Sequence, residues 1–117
     1  MTRLIIDTGP LVALLNRRDH HHAWARKVLD TVEPPVFTCE PVVSEAGFLL
    51  GQVSGGQDAL FELISRDVVK LDFRIATEID ALAALTRKYA GVPMSIADAC
   101  LVRMSELESR SVVLTLD

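Results

Sequence analysis

Residues 3–16 read RLIIDTGPLVALLN, and the spacing of the apolar residues changes within them. Arg3 to Ile6 is a short Leu/Ile run without polar alternation, the pattern of a strand buried on both faces as in parallel sheets. It stops at Asp7-Thr8-Gly9-Pro10, a turn sequence. Pro10 suits the first turn of a helix, where its missing N–H would have no partner, and Leu11, Val12, Leu14 and Leu15 continue that helix. A buried strand that runs through a tight turn into a helix is the opening of an α/β unit.

The same alternation continues outward. Asn16 to Asp19 is a polar break, and Asp19 can cap a second helix with an inner face of Ala23, Trp24, the Lys27 stem, Val28 and Leu29. Pro34-Pro35 ends it, and Val36-Phe37-Thr38 reads as a second strand. Pro41 opens a third helix, with Val42, Ala46, Leu49, Leu50 and Val53 at i, i+4, i+7, i+8 and i+11. Ser54-Gly55-Gly56 is expected to end it, before a short helix over 59–64 and a strand over 68–71. Ile75, Ile79, Leu82, Leu85 and Tyr89 mark a long helix, and Ala97, Cys100, Leu101 and Met104 another, entered through Ser95. Ser111 to Leu116 is a last apolar strand. Strands separated by helices predict a parallel sheet covered by helices.

The chain has 117 residues, one domain's worth, and half of them are apolar, enough for a sizeable core and too many for general disorder. No apolar run reaches the roughly 18 to 20 residues of a membrane span, and Asp7 comes too early for a secretory signal. A soluble, cytoplasmic protein is expected. Cys39 and Cys100 stand 61 positions apart without a partner at metal spacing, so both read as small buried residues. The net charge of −4 argues against a simple basic nucleic-acid module, but not against an enzyme whose acids hold metal ions.

Ligands of open α/β sheets bind beyond the carboxyl ends of the strands. Four acids stand at such positions: Asp7 after the first strand, Asp117 after the last, Asp98 in the first turn of the helix after Ser95, and Glu45 at the edge of the third helix's stripe. Each also has a purely structural reading. Asp7 suits an N-cap, Ser95-x-x-Asp98 a capping box with Asp for Glu, Glu45 a solvent border, and Asp117 a turn. Gathered together, four carboxylates repel one another unless protons or cations neutralise them. Oxygen-only donors select hard ions, Mg²⁺ or Mn²⁺, which can activate water and stabilise a leaving oxygen in phosphodiester cleavage.

Asp7 in IIDTGPLVALLN, Glu45 in PVVSEAGFLL, Asp98 in PMSIADACLV and Asp117 in VVLTLD resemble, in order and flanking sequence, the acids of PIN-domain nucleases. The resemblance runs over the whole of 1–117 and extends to the bacterial single-domain ribonucleases, including VapC-type toxins of toxin–antitoxin pairs. It implies a Rossmann-like three-layer α/β sandwich, and an endoribonuclease that needs Mg²⁺ or Mn²⁺ and leaves a 5′ phosphate. Asp7, Glu45, Asp98 and the more variable Asp117 would be the catalytic and metal-holding acids. Thr8 and Thr115 match polar neighbours that orient them. An antitoxin and a second copy of the chain are the implied protein partners. Members continue past the Thr-x-Asp into an edge strand, whereas this sequence stops at Asp117, so four to five strands are expected.

Other features weigh less. His20, His21 and His22 are consecutive and share no helix face, so they read as a solvated helix start. Trp24 reads as a helix anchor, and Arg17 and Arg18 as surface cations within reach of phosphate. The stripe around Phe48, Leu49, Phe61 and Leu63 can serve a core and a homodimer contact. Asp7-Thr8-Gly9 is also an aspartic-protease triplet, but that fold is all-β. Haloacid-dehalogenase phosphatases need an acid where Gly9 stands, and receiver domains need an acidic pair and a Lys that are missing here. The alternative that stands is a catalytically weak PIN-like protein that acts by binding RNA or a protein.

Overall fold

The structure, a computed structural model, describes residues 2–116; Asp117 lies outside the described residues. Strand β1 (Arg3–Ile6) leads into α1 (Thr8–Leu15) and α2 (His22–Asp30). Then come β2 (Val36–Thr38), α3 (Glu40–Leu50), α4 (Gly56–Ser65) and β3 (Val69–Leu71). A 3₁₀ turn (Ile75–Glu78), α5 (Ile79–Lys88), α6 (Ile96–Leu107) and β4 (Ser111–Leu114) complete the chain.

All pairings are parallel and the strand order is β3-β2-β1-β4. This is the α/β architecture expected, with four strands among the described residues. β1 runs along β4 in the register Arg3↔Ser111 to Ile6↔Leu114, and the Asp7 N–H extends it by donating to the Leu114 carbonyl at 3.0 Å. Ile5 and Ile6 are fully buried, as a central strand flanked on both sides requires. From β1 the chain steps to β2 and β3 on one side, then returns across the sheet to β4 on the other. The order therefore reverses between β1 and β4, and a crevice opens beyond their carboxyl ends.

The core joins Leu4, Ile5 and Ile6 to Leu11, Val42, Leu50 and Leu60 on one set of helices and to Cys100, Leu101 and Met104 on α6. Cys39 and Cys100 are both free and buried, as expected. The Thr38 hydroxyl, also buried, donates to the Ile6 carbonyl at 2.7 Å and ties β2 to the end of β1.

Local boundaries differ from the sequence reading at several points. The long helix expected from Ile75 to Tyr89 is instead a 3₁₀ turn over Ile75–Glu78 followed by α5 over Ile79–Lys88. α2 starts at His22 rather than after Asp19, because Asp19 closes the preceding turn by accepting the His21 N–H at 2.8 Å. Its inner face is Ala25 with Val28 and Leu29, while Ala23, Trp24 and Lys27 are exposed; Trp24 meets His21 edge-on instead of anchoring the core. Gly55-Gly56 starts α4 rather than ending α3, which stops at Leu50. β4 ends at Leu114, so Thr115 and Leu116 lie beyond the strand.

Candidate active site

The crevice predicted by the strand order is a cleft of about 390 Å³. Asp7, Glu45 and Asp98 all line it, with Thr8 and Ser95 beside them and Leu49 and Leu116 as apolar walls. Three of the four acids singled out in the sequence thus share one surface, and the fourth, Asp117, follows directly on Leu116 outside the described residues. Among the described residues the lining contains no lysine, arginine or histidine.

Each acid reaches the cleft by a different local device. Asp7 is the N-cap of α1, and its Oδ1 accepts the Thr8 N–H at 2.7 Å. Its Oδ2 accepts the Thr115 hydroxyl at 2.9 Å, so the residue after β1 and the residue after β4 are held together. Asp98 is the third residue of α6 in a reciprocal capping box. Its Oδ2 accepts the Ser95 N–H at 3.1 Å, and its own N–H donates to the Ser95 Oγ at 3.0 Å. Both structural readings are therefore realised, and they aim the carboxylates instead of competing with the cleft. Each carboxylate oxygen has two lone pairs, so the caps leave acceptor capacity on both. Glu45 stands in the middle of α3, exposed, one turn before Leu49.

Gly9 packs closely on the segment after β4: a Cβ there would meet the Leu116 side chain at 3.0 Å, so that side chain would have to give by a few tenths of an ångström. Beneath the cleft, Cys39 precedes α3 and hydrogen-bonds Cys100 of α6. Burial pushes the Cys39 thiol up to about 12, with the Cys100 and Asp7 charges adding to it.

Oxygen donors without a compensating cation are the chemistry of a hard divalent ion. The donor types suit such an ion. Among the described residues, however, no three acidic or other ligating side chains stand close enough to share one ion. The His20–His22 run is outside the cleft; His22 instead donates from Nδ1 to the Ala13 carbonyl at 2.8 Å.

Residues the sequence did not place at the site are Ser95 and Leu116 in the lining and Thr38, which bonds the end of β1. Ser95 was legible as a cap. Leu116 and Thr38 carry no motif, since their roles come from contacts distant in sequence.

A parallel sheet that reverses order at β1/β4, with carboxylates collected at the reversal, defines an acid-lined α/β fold. Residues 4–117 match the PIN domain family, and the chain belongs to it. Its structure is similar to the crystal structure of Mycobacterium tuberculosis VapC20, described as a sarcin–ricin loop cleaving toxin. The TM-score is 0.79 at 22% identity, over 97% of this chain and 91% of that one. No curated protein sequence matches this chain significantly.

Proposed function

We propose that this chain is a Mg²⁺- or Mn²⁺-dependent endoribonuclease, the toxin of a toxin–antitoxin pair acting in the cytoplasm. The observation that carries the proposal is the shared cleft of Asp7, Glu45 and Asp98 at the strand-order reversal. In this reading Asp7, Asp98, Glu45 and Asp117 hold the cation. When bound, the ion would offset their mutual repulsion, lower the pKa of a water and stabilise the leaving oxygen of the phosphodiester.

The chain's own residues do the positioning. Thr8 and Thr115 each donate to a different oxygen of Asp7, which fixes its carboxylate plane, and Ser95 does the same for one oxygen of Asp98. Glu45 has the longest side chain of the three and, among the described residues, no such tether, so it is the ligand that can swing toward an arriving ion. Leu49 and Leu116 give the cleft two apolar walls. The spread of the acids favours one second reading, a protein that binds RNA or a partner without efficient cleavage.

Cleavage of a sarcin–ricin loop RNA, the target named for the similar toxin, is the first test. Mn²⁺-dependent cleavage that stops in EDTA and falls about 100-fold or more in Asp7→Asn and Asp98→Asn is expected. Cleavage that survives both substitutions would remove the site assignment. A folded parent that binds RNA but leaves it intact would establish the binding reading.

Family likeness suggests an antitoxin and a second copy as protein partners. Of the stripe expected at a dimer contact, Leu63 is half-buried, and Phe48, Leu49 and Phe61 are exposed. Sedimentation mass checks self-association.

A further inference from the structure

A second, larger groove of about 1020 Å³ adjoins the cleft. The two share Leu49, which lines both. Their charges are opposite: among the described residues the cleft is lined by three carboxylates and no cation, the groove by Arg17 and Arg18 and no carboxylate. Among the described residues neither arginine has an acidic partner. They sit on a pinned turn, where Asn16 Oδ1 accepts the Arg18 N–H at 3.1 Å and the Asp19 N–H donates to the Asn16 carbonyl at 3.0 Å. Phe48 lines the same groove and is 80% exposed, the most exposed large apolar side chain among the described residues.

We propose that this groove holds the single-stranded RNA that flanks the scissile phosphate, with Phe48 stacking on a base and Arg17 and Arg18 holding phosphates. The inference rests on the nuclease reading for which phosphate is cut, but not for the binding itself. An exposed aromatic beside unpaired arginines is the combination that holds single strands, because stacking accepts any base while the cations follow the backbone. Spacing on α3 relates the groove to the chemistry. Glu45, Phe48 and Leu49 are i, i+3 and i+4, so they share one helix face. Phe48 therefore stands within one turn, about 5 Å of rise, of a cleft acid, which assigns it the nucleotide next to the cut. A net charge of −4 and an acid-lined cleft repel RNA, and the groove supplies cations beside that cleft. A second copy fits less well, since a two-fold contact centred here would set Arg17 and Arg18 against their own copies.

The test is the affinity of a short fluorescein-labelled single-stranded RNA, read by anisotropy with calcium as the only divalent ion. Phe48→Ala and Phe48→Leu are expected to weaken binding about 5- to 100-fold, and Phe48→Tyr to preserve it. On an abasic ribose-phosphate oligomer the Phe48 effect should vanish. The double variant Arg17→Ala/Arg18→Ala should flatten the dependence of log affinity on log salt by about 1.4, about 0.7 per lost phosphate contact. Parent-like RNA affinity in Phe48→Ala and in the double arginine variant would overturn the proposal while leaving the nuclease reading intact. It would also fall if Phe48→Ala changed the sedimentation mass but not RNA affinity, because the face would then be a protein contact. If the parent cleaves no RNA but these binding effects appear, the groove assignment stands and the nuclease reading falls.

Discussion

Asp7 and Asp98 show how a capping residue and a site residue become the same residue. A cap needs a carboxylate fixed against backbone N–H groups, and a metal site needs a carboxylate whose direction is fixed; the bonds from Thr8, Thr115 and Ser95 meet both needs. Both acids were legible, because caps and strand ends can be read from neighbouring residues. Phe48 was not. Its place in the apolar stripe says only that it lies near a helix face, and its exposure depends on what the rest of the chain leaves uncovered. Cys39 offers a separate check. With burial holding its thiol near 12, it should resist alkylation at pH 8 in the native protein and react once the protein is unfolded. The stability consequence has a definite sign. The folded pKa lies above the unfolded one, so between about pH 9 and 12 the folded state retains a proton that the unfolded state loses, and stability falls as pH rises. Thermal midpoints across that range should drop less steeply in Cys39→Ala than in the parent.

Helix α6 owes its start to Ser95 and its placement to Ala97, Cys100, Leu101 and Met104, and all of this was visible in the sequence. Ser95→Ala should cost about 0.5 to 2 kcal/mol in denaturant unfolding, with Ser95→Thr recovering most of it. The α3–α4 junction was read differently because Ser-Gly-Gly marks a turn without saying which helix the turn serves. Gly55 has φ of 72°, the left-handed region, and acts as the N-cap of α4. Gly56 is packed so closely that a Cβ would stand 2.8 Å from the Leu50 carbonyl. Gly56→Ala should therefore destabilise by about 1 to 3 kcal/mol, since backbone rather than a flexible side chain must move. A parent-like unfolding midpoint would contradict that packing. The α2 boundary shifted for a related reason: Asp19 can cap a helix or close a turn, and the contact with His21 settles which.

Across the fold, cleft and groove divide the charge between them, acids on one side of Leu49 and arginines on the other. An ion that binds only the folded protein raises its stability, by about 2.7 kcal/mol at a hundredfold excess over its dissociation constant. Mn²⁺ should raise the thermal midpoint of the parent, EDTA should reverse the rise, and Asp98→Asn should lose it. An unchanged midpoint at millimolar Mn²⁺ would count against cation binding by the acids. Sequence periodicity was sufficient for the alternation of strands and helices, the parallel sheet and the list of acids, because those properties depend on near neighbours and on which residues must be buried. The order β3-β2-β1-β4, the tie from Thr115 to Asp7, and the meeting of Glu45 with Asp98 on one cleft join residues far apart in the chain. Such contacts leave no period or local motif behind, since they are set by how the helices cross the sheet and which surfaces are then left open.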